Sequence, residues 1–261
     1  MLSYQHIYHA GNLADVQKHT LLAWALSYLT QKDKPLSYVE THAGRGLYRL
    51  DSDEALKTGE AAAGIERVQR EDWFEANHPL ARAISTTQAR FGEAYYPGSP
   101  VIAANLLRPQ DSLHVAELHP QEHAALARAL TSGNAKVYKQ DGYELAQSLL
   151  PPTPRRGMVL IDPSYEMKSE YAQLPGIINK LHRKWNVGVI ALWYPILTDN
   201  RHLQMTAELK KTHLPRILQH EVMFSAARQG HGMIGSGMFV VNAPFGLDEE
   251  ATRLSRLFEN L

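Results

Sequence analysis

Short runs of aliphatic and β-branched residues recur along the chain, separated by longer stretches whose apolar positions fall at helical spacing. The runs cover 36–41, 113–118, 135–140, 158–162, 187–194, 216–224 and 237–242. Between them the spacing predicts helices over 14–30, 120–130, 142–150, 174–184 and 202–212. Strand, helix, strand in this rhythm needs right-handed crossovers, hence a mostly parallel sheet with helices on both faces. The fold class expected is α/β, doubly wound and Rossmann-like. The interval 51–98 breaks the rhythm, being acidic, helix-prone and without a strand-like run. It reads as a small helical subdomain inserted into a domain made of 1–50 and 99–261. The last two apolar runs flank a glycine-rich loop, Gln229–Ser236, and are expected to pair antiparallel, making the last strand the exception in the sheet.

Composition narrows the chemistry. The 261 residues are 44% hydrophobic and 21% charged, which is ordinary for a globular chain and excludes extended disorder. Zero cysteines exclude a disulfide framework, a thiolate zinc site, an iron–sulfur cluster and a cysteine nucleophile. No uninterrupted apolar run reaches membrane-spanning length, and no basic segment followed by an apolar one opens the chain, so a cytoplasmic compartment is expected.

Net charge is zero, which argues against a protein that coats nucleic acid. Its distribution is uneven: +2 over 1–50, −4 over 51–100 and +5 over 151–220. If the two basic stretches fold together they form a cationic face, with Lys18, Lys168, Arg155 and Arg156 as candidate phosphate contacts and the acidic insertion turned away. The plain alternative is charge scattered over a solvated surface.

Open parallel sheets bind ligands at the carboxyl ends of their strands, so the residues just after each run carry the chemistry. After the first, Ala43-Gly44-Arg45-Gly46 offers a tight turn, but Arg49 stands where a dinucleotide fingerprint needs its third glycine, which disfavours a nicotinamide cofactor. Glu117 ends the second run, where a carboxylate can meet ribose hydroxyls; Asp141-Gly142 ends the third, where an acid and an exposed N–H can meet an adenine edge. Each alone is also an ordinary strand end or turn. His119-Pro120-Gln121-Glu122-His123 matches a zinc-protease spacing in form only. Pro120 fits the first helical position, which makes His119 a cap and no metal is expected. No nucleophile elbow and no phosphate-binding loop occur.

The sharpest signal is Asp162-Pro163-Ser164-Tyr165 after Met158-Val159-Leu160-Ile161. An amine on an aromatic ring is a poor nucleophile because its lone pair is delocalised. A carboxylate and a backbone carbonyl that accept both of its N–H bonds turn the lone pair out of the ring plane and favour the developing positive charge. Tyr165 adds a stacking face for a base taken out of its stack. The arrangement suits methyl transfer from S-adenosylmethionine to an exocyclic amine.

That tetrapeptide resembles the Asp-Pro-Pro-Tyr motif of N6-adenine methyltransferases. The chain as a whole is similar to the bacterial ribosomal RNA large-subunit methyltransferase J family. The similarity rests on Met1-Leu2-Ser3-Tyr4-Gln5-His6, His9-Ala10-Gly11-Asn12, Ala14-Asp15-Val16, Lys18-His19-Thr20 and Thr41-His42-Ala43-Gly44. It continues through Tyr95-Tyr96-Pro97-Gly98-Ser99-Pro100, Glu117-Leu118-His119-Pro120, Asp141-Gly142, Ala191-Leu192-Trp193-Tyr194-Pro195 and Ser236-Gly237-Met238. The resemblance implies a Rossmann-like S-adenosylmethionine-dependent domain that methylates one adenine of 23S ribosomal RNA at N6, with no membrane and no obligate protein partner. It places cofactor contacts on His19, His42, Ser99, Glu117, Asp141, Gly142 and Asp162. The catalytic acceptor falls on Asp162, and substrate contacts on Tyr4, His6, Lys18 and Tyr165. In that setting Lys18 or His19 can meet the cofactor's carboxylate.

Two positions depart from the family's pattern. Ser164 replaces the second proline, which loosens the turn that aims Tyr165, and Arg45 stands between two glycines, so its side chain must point away from the cofactor. Two further readings stay open: methylation of another amine, such as a DNA adenine or a protein glutamine, and a catalytically silent RNA-binding relative.

Overall fold

A computed structural model describes residues 4–131, 133–226 and 232–261. The opening Met1-Leu2-Ser3, residue 132 and 227–231, which include the first three residues of the glycine-rich loop, lie outside them; the loop's last four, 233–236, belong to a strand. After a single 3₁₀ turn (His6–Tyr8) come α1 (Leu13–Thr30), β1 (Ser37–Glu40) and β2 (Leu47–Arg49), followed by the helices α2 (Asp53–Thr58), α3 (Glu60–Ala63), α4 (Ile65–Arg70) and α5 (Pro79–Phe91). Next come β3 (Tyr95–Pro97), α6 (Ser99–Leu106), β4 (Ser112–Ala116), α7 (Pro120–Ala129), β5 (Ala135–Tyr138), α8 (Gly142–Leu149) and β6 (Gly157–Ile161). The remainder is α9 (Glu170–Lys184), β7 (Val189–Leu197), α10 (His202–Lys210), β8 (Leu218–Met223), β9 (Met233–Val241) and α11 (Leu247–Phe258).

Seven strands form one sheet in the order β5-β4-β1-β6-β7-β9-β8. β5, β4, β1, β6 and β7 run parallel, while β9 is antiparallel to both β7 and β8. The chain leaves β1 toward β4 and β5, then returns to β6 on the other side of β1. That reversal opens a crevice at the carboxyl end of β1, between β4 and β6.

Alternation along the strands feeds two cores. Tyr38, Leu160 and Ala191 point into a cluster with α1, α5, α6 and α11, whereas Val39, Ile161 and Leu192 point into a second with α8, α9 and α10. α1 is buried on nearly every side, so even its polar residues Asp15, Gln17, Lys18 and His19 are at most 4% exposed. Such groups must find partners inside the protein. They find them at the crevice.

The structure corrects the sequence-based expectation in three places. The interval 51–98 is helical through α5 but contains a strand: Tyr95–Pro97 pairs antiparallel with Leu47–Arg49. Two three-residue strands are too short for a periodicity signal. Apolar residues of the same interval, Ile65, Val68, Leu80 and Ile84, share the larger core with α1 and the sheet. Two helices absent from the expectation, α6 and α11, also cover that face; in α11, Leu247, Ala251, Leu254 and Phe258 form the buried stripe.

Candidate active site

One cavity of about 720 Å³ opens at the carboxyl ends of the parallel strands. It gathers Tyr4, His6, Lys18, His19, His42, Ser99, Glu117, Asp141, Gly142, Asp162 and Tyr165, every cofactor, catalytic and substrate residue named from the sequence, but not the candidate phosphate contacts Arg155, Arg156 and Lys168. Its size is that of a small-molecule site.

At the α1 side, Asn12 caps the helix by accepting from the Asp15 N–H (2.9 Å), which turns Asp15 back toward the cavity. The Asp15 carboxylate accepts from the Gly11 N–H (2.9 Å) and lies 2.8 Å from His6 Nε2 and 3.0 Å from Lys18 Nζ. Lys18 also donates to Asp162 Oδ2 at 2.7 Å. One ammonium therefore bridges two carboxylates from opposite parts of the chain. Burial works against the charges on Lys18 and Asp15. Their mutual attraction wins: Asp15 and Asp162 raise the lysine pKa, while His6 and Lys18 hold Asp15 well below the usual carboxylate range. The Lys18 ammonium also sits 5.4 Å from the Trp193 ring centroid, a cation–π contact on the cavity wall.

This overturns the reading of Lys18 as a phosphate contact. With 4% of its surface exposed and its ammonium committed to two carboxylates, it holds Asp162 in place. His19 likewise cannot meet a carboxylate as a cation. Burial lowers its pKa to about 3, so the ring is neutral, with Nδ1 2.7 Å from the Tyr96 hydroxyl and Nε2 a long 3.6 Å from Asp15. Arg155 and Arg156 immediately precede β6, at the end of the strands away from the cavity. Arg156 donates to the carbonyls of Leu29 and Lys34. Of the four candidate phosphate contacts, Lys168 alone is exposed in the loop after Asp162.

The β4 and β5 side is held by backbone. Glu117 accepts from the Gly44 N–H (2.9 Å) and the His119 N–H (2.7 Å), and burial pushes its pKa up. Gly44 itself is at φ +58°, and a Cβ there would sit 2.5 Å from the Tyr48 hydroxyl oxygen, so glycine is required. Asp141 caps α8 through Glu144 N–H (3.0 Å). His42 lies edge-on to Tyr143 (centroids 4.9 Å) and accepts from or donates to Thr41 Oγ1 at 2.7 Å; burial lowers its pKa to about 4. Arg45 does point away: its guanidinium makes two hydrogen bonds to Glu122 of α7 (2.9 and 2.7 Å). His119 occupies the helix cap position, next to Pro120 at the first turn.

Tyr165 is left-handed (φ +57°), a strained setting for an aromatic residue, and only 8% exposed. Its hydroxyl donates to the Trp193 carbonyl (2.6 Å), and its ring packs on Tyr171 (4.5 Å) and edge-on to Trp193 (6.0 Å). It is part of the wall. Tyr4, 38% exposed at the rim, stacks on His9 (5.9 Å, 8°) and donates to or accepts from His6 Nδ1 at 2.8 Å.

Sequence reasoning missed three groups, two lining the cavity and one, Glu40, buried behind Ser99. Asp15 was seen only as part of a motif. Glu40, the buried last residue of β1, accepts from Ser99 Oγ (2.5 Å) and Tyr38 Oη (2.9 Å), and burial raises its pKa to about 8. Glu170, 6% exposed, lines the cavity with Oε2 unpartnered among the described residues and Oε1 3.4 Å from the Tyr143 hydroxyl; burial pushes its pKa up. The acidic strand end of β1 was a legible signal for Glu40. Nothing in the sequence marks Glu170.

The donor set fits S-adenosylmethionine. Carboxylates at two successive strand ends suit a ribose diol and an adenine amine, since each keeps acceptor capacity beyond its backbone bonds. Neutral imidazoles at 19 and 42 add donors without adding charge.

A family described as ribosomal RNA large subunit methyltransferase D, RlmJ, matches residues 33–260. The chain is 41% identical over 252 residues to ribosomal RNA large subunit methyltransferase J of Escherichia coli, covering 96% of this chain and 90% of that protein. It is 38% identical over 257 residues to the Haemophilus influenzae protein of the same name, with the same coverage. Among solved structures, a protein from Legionella pneumophila superposes with a TM-score of 0.84 at 36% identity, over 97% of this chain and 92% of that one.

Proposed function

The chain belongs to the RlmJ family of ribosomal RNA large subunit methyltransferases, and from that premise we propose that it methylates the N6 amine of one adenine in 23S ribosomal RNA. S-adenosylmethionine is the methyl donor, supplying an electrophilic methyl group on a sulfonium. No helix among the described residues is long and apolar enough to cross a membrane.

The observation that carries the proposal is the state of Asp162. Lys18 holds Oδ2 at 2.7 Å, and no described hydrogen bond engages Oδ1, which is left to accept from the target amine at the cavity. The Pro163 carbonyl takes the second N–H. Two acceptors on one exocyclic amine turn its lone pair out of the ring and stabilise the charge that grows on nitrogen as the new bond forms. As the nitrogen–carbon bond forms, the carbon–sulfur bond breaks to leave a neutral thioether, and the proton that the methylated nitrogen sheds passes to water from a position already hydrogen-bonded to the carboxylate. The pinned Oδ2 means that little reorganisation is needed during the step.

Tyr165 and Trp193 wall the flipped base, and Tyr4 at the rim presents a more open aromatic face. Glu117 and the Asp141-Gly142 turn hold the ribose and adenine of the cofactor, with His19, His42 and Ser99 lining the rest. Of the candidate phosphate contacts only Lys168 is exposed beside the cavity, so affinity should fall only slightly with salt, with a log-log slope of roughly −1.

Mass spectrometry of nucleosides from 23S ribosomal RNA of a strain lacking this protein tests the assignment. One N6-methyladenine per RNA should be missing and should return on complementation. An unchanged N6-methyladenine content, or loss of a different modified nucleoside, contradicts it.

A further inference from the structure

The described residues enclose a second cavity, of about 790 Å³, where the C-terminal half of α1 meets the segment 72–79 and the start of α11. Methyl transfer makes no use of it. Its walls are aromatic. The His78 imidazole stacks on Phe74 (centroids 4.5 Å, 29°) and on Trp24 (6.0 Å, 29°), and Phe245 stands beside them 78% exposed. An exposed phenylalanine is unremarkable alone, but here it extends the aromatic wall into a continuous apolar surface.

The rim is acidic. Asp72, Glu75 and Glu249 border the cavity, are exposed, and form no ion pair among the described residues. Glu250 is different: Arg253 donates to both of its oxygens (2.8 and 2.6 Å), donates to the Trp73 carbonyl (2.9 Å), and lies 5.1 Å from the Phe74 centroid. The cavity thus already seats one guanidinium, on a carboxylate fork and against an aromatic ring. The remaining carboxylates and the rings of Trp24 and Phe245 offer the same chemistry without a cation.

We infer that this cavity binds a cationic peptide segment of a partner protein, an arginine side chain packing on Trp24 and Phe245 with its charge met by Glu75 and Glu249. Charge complementarity selects that occupant. A neutral apolar ligand has no use for three carboxylates, and the same carboxylates repel an RNA backbone. RNA-binding proteins carry extended basic arms of this composition, and an enzyme that works on RNA meets them at its substrate.

The test uses the full chain and an acetylated, amidated Gly-Arg-Gly-Arg-Gly peptide, followed by calorimetry and by tryptophan fluorescence. The peptide should bind saturably, and its citrulline twin, which keeps the shape and loses the charge, should bind at least about tenfold more weakly. Phe245→Ala and Glu249→Gln, both at exposed positions, should each weaken binding about three- to tenfold, with unchanged melting and unchanged methyl transfer to RNA. Equal binding of the citrulline peptide, absence of saturation, or indifference to both substitutions overturns the inference. So does displacement of the peptide by a single-stranded oligonucleotide whose own affinity drops with Phe245→Ala, which gives the groove to RNA instead.

Discussion

The two sides of the strand-end cavity are built by different means. Where α1 meets β6, Asp162 is held by a side chain 144 residues away in sequence, and the Lys18 ammonium that holds it is itself balanced by Asp15. Where β4 and β5 end, Glu117 and Asp141 are held by backbone N–H groups, those of the turns that follow them and, for Glu117, that of Gly44 in the turn after β1. The first side depends on complementary charges centred on Lys18, so removing that one cation strands its carboxylates. The second tolerates loss of a side chain, because the backbone that held it stays where it is.

Substitution of Lys18 gives the largest contrast. Lys18→Met keeps the volume but takes the ammonium from buried Asp15, leaving it His6 alone, and from the partly buried Asp162, which should cost about 3 kcal/mol of stability in urea unfolding and at least about a hundredfold in methyl transfer. Wild-type melting of this variant would erase the distinction between the two sides. On the other side, Glu117→Gln should leave stability nearly unchanged and weaken S-adenosylmethionine binding about tenfold by calorimetry, close to 1.4 kcal/mol. Strong destabilisation here would again merge them.

Acid titration sharpens the comparison. His42 has a folded-state pKa lowered to about 4, so its contribution to stability is complete above the ordinary histidine value and is lost as pH falls toward 4. Between those limits the unfolded chain binds the extra proton, and each such histidine adds a slope of up to about 1.4 kcal/mol per pH unit. His19, lowered to about 3 by burial, acts in the same direction. His42→Asn should flatten the loss of stability between about pH 6.5 and 4; an unchanged slope would mean that the ring is protonated in the fold. The smallest effect is expected for Ser164→Pro, which removes no described hydrogen bond and should leave methyl transfer within about twofold.

The parallel strands were legible because each apolar run is followed by a polar turn, and the cofactor side was legible for the same reason: Glu117 and Asp141 sit at strand ends, and local backbone fixes what they do. The α1 side was legible only as a motif. That Lys18 serves Asp162 and not phosphate depends on α1 being enclosed on all sides, a property of the assembled layers that periodicity within one helix does not carry. Arg156 failed as a phosphate contact for a topological reason, since it precedes a strand whose other end forms the cavity. Glu170 follows the loop after Tyr165 with no neighbouring pattern, and only packing against Tyr143 brings it to the cavity. The short β2 and β3 pair and the covering helices α6 and α11 fell outside the strand rhythm used to read the rest.

The central claim is that Asp162, pinned by Lys18, accepts the target amine. Purified wild-type and Asp162→Asn proteins, each incubated with unmodified 23S ribosomal RNA and isotopically labelled S-adenosylmethionine, test it through the nucleosides released. Wild type should place label in N6-methyladenine alone, near one per RNA. Asp162→Asn should fold, bind RNA with the same salt dependence and lose about a hundredfold or more in rate. Label in another nucleoside, or an Asp162→Asn enzyme of near wild-type rate, contradicts the account.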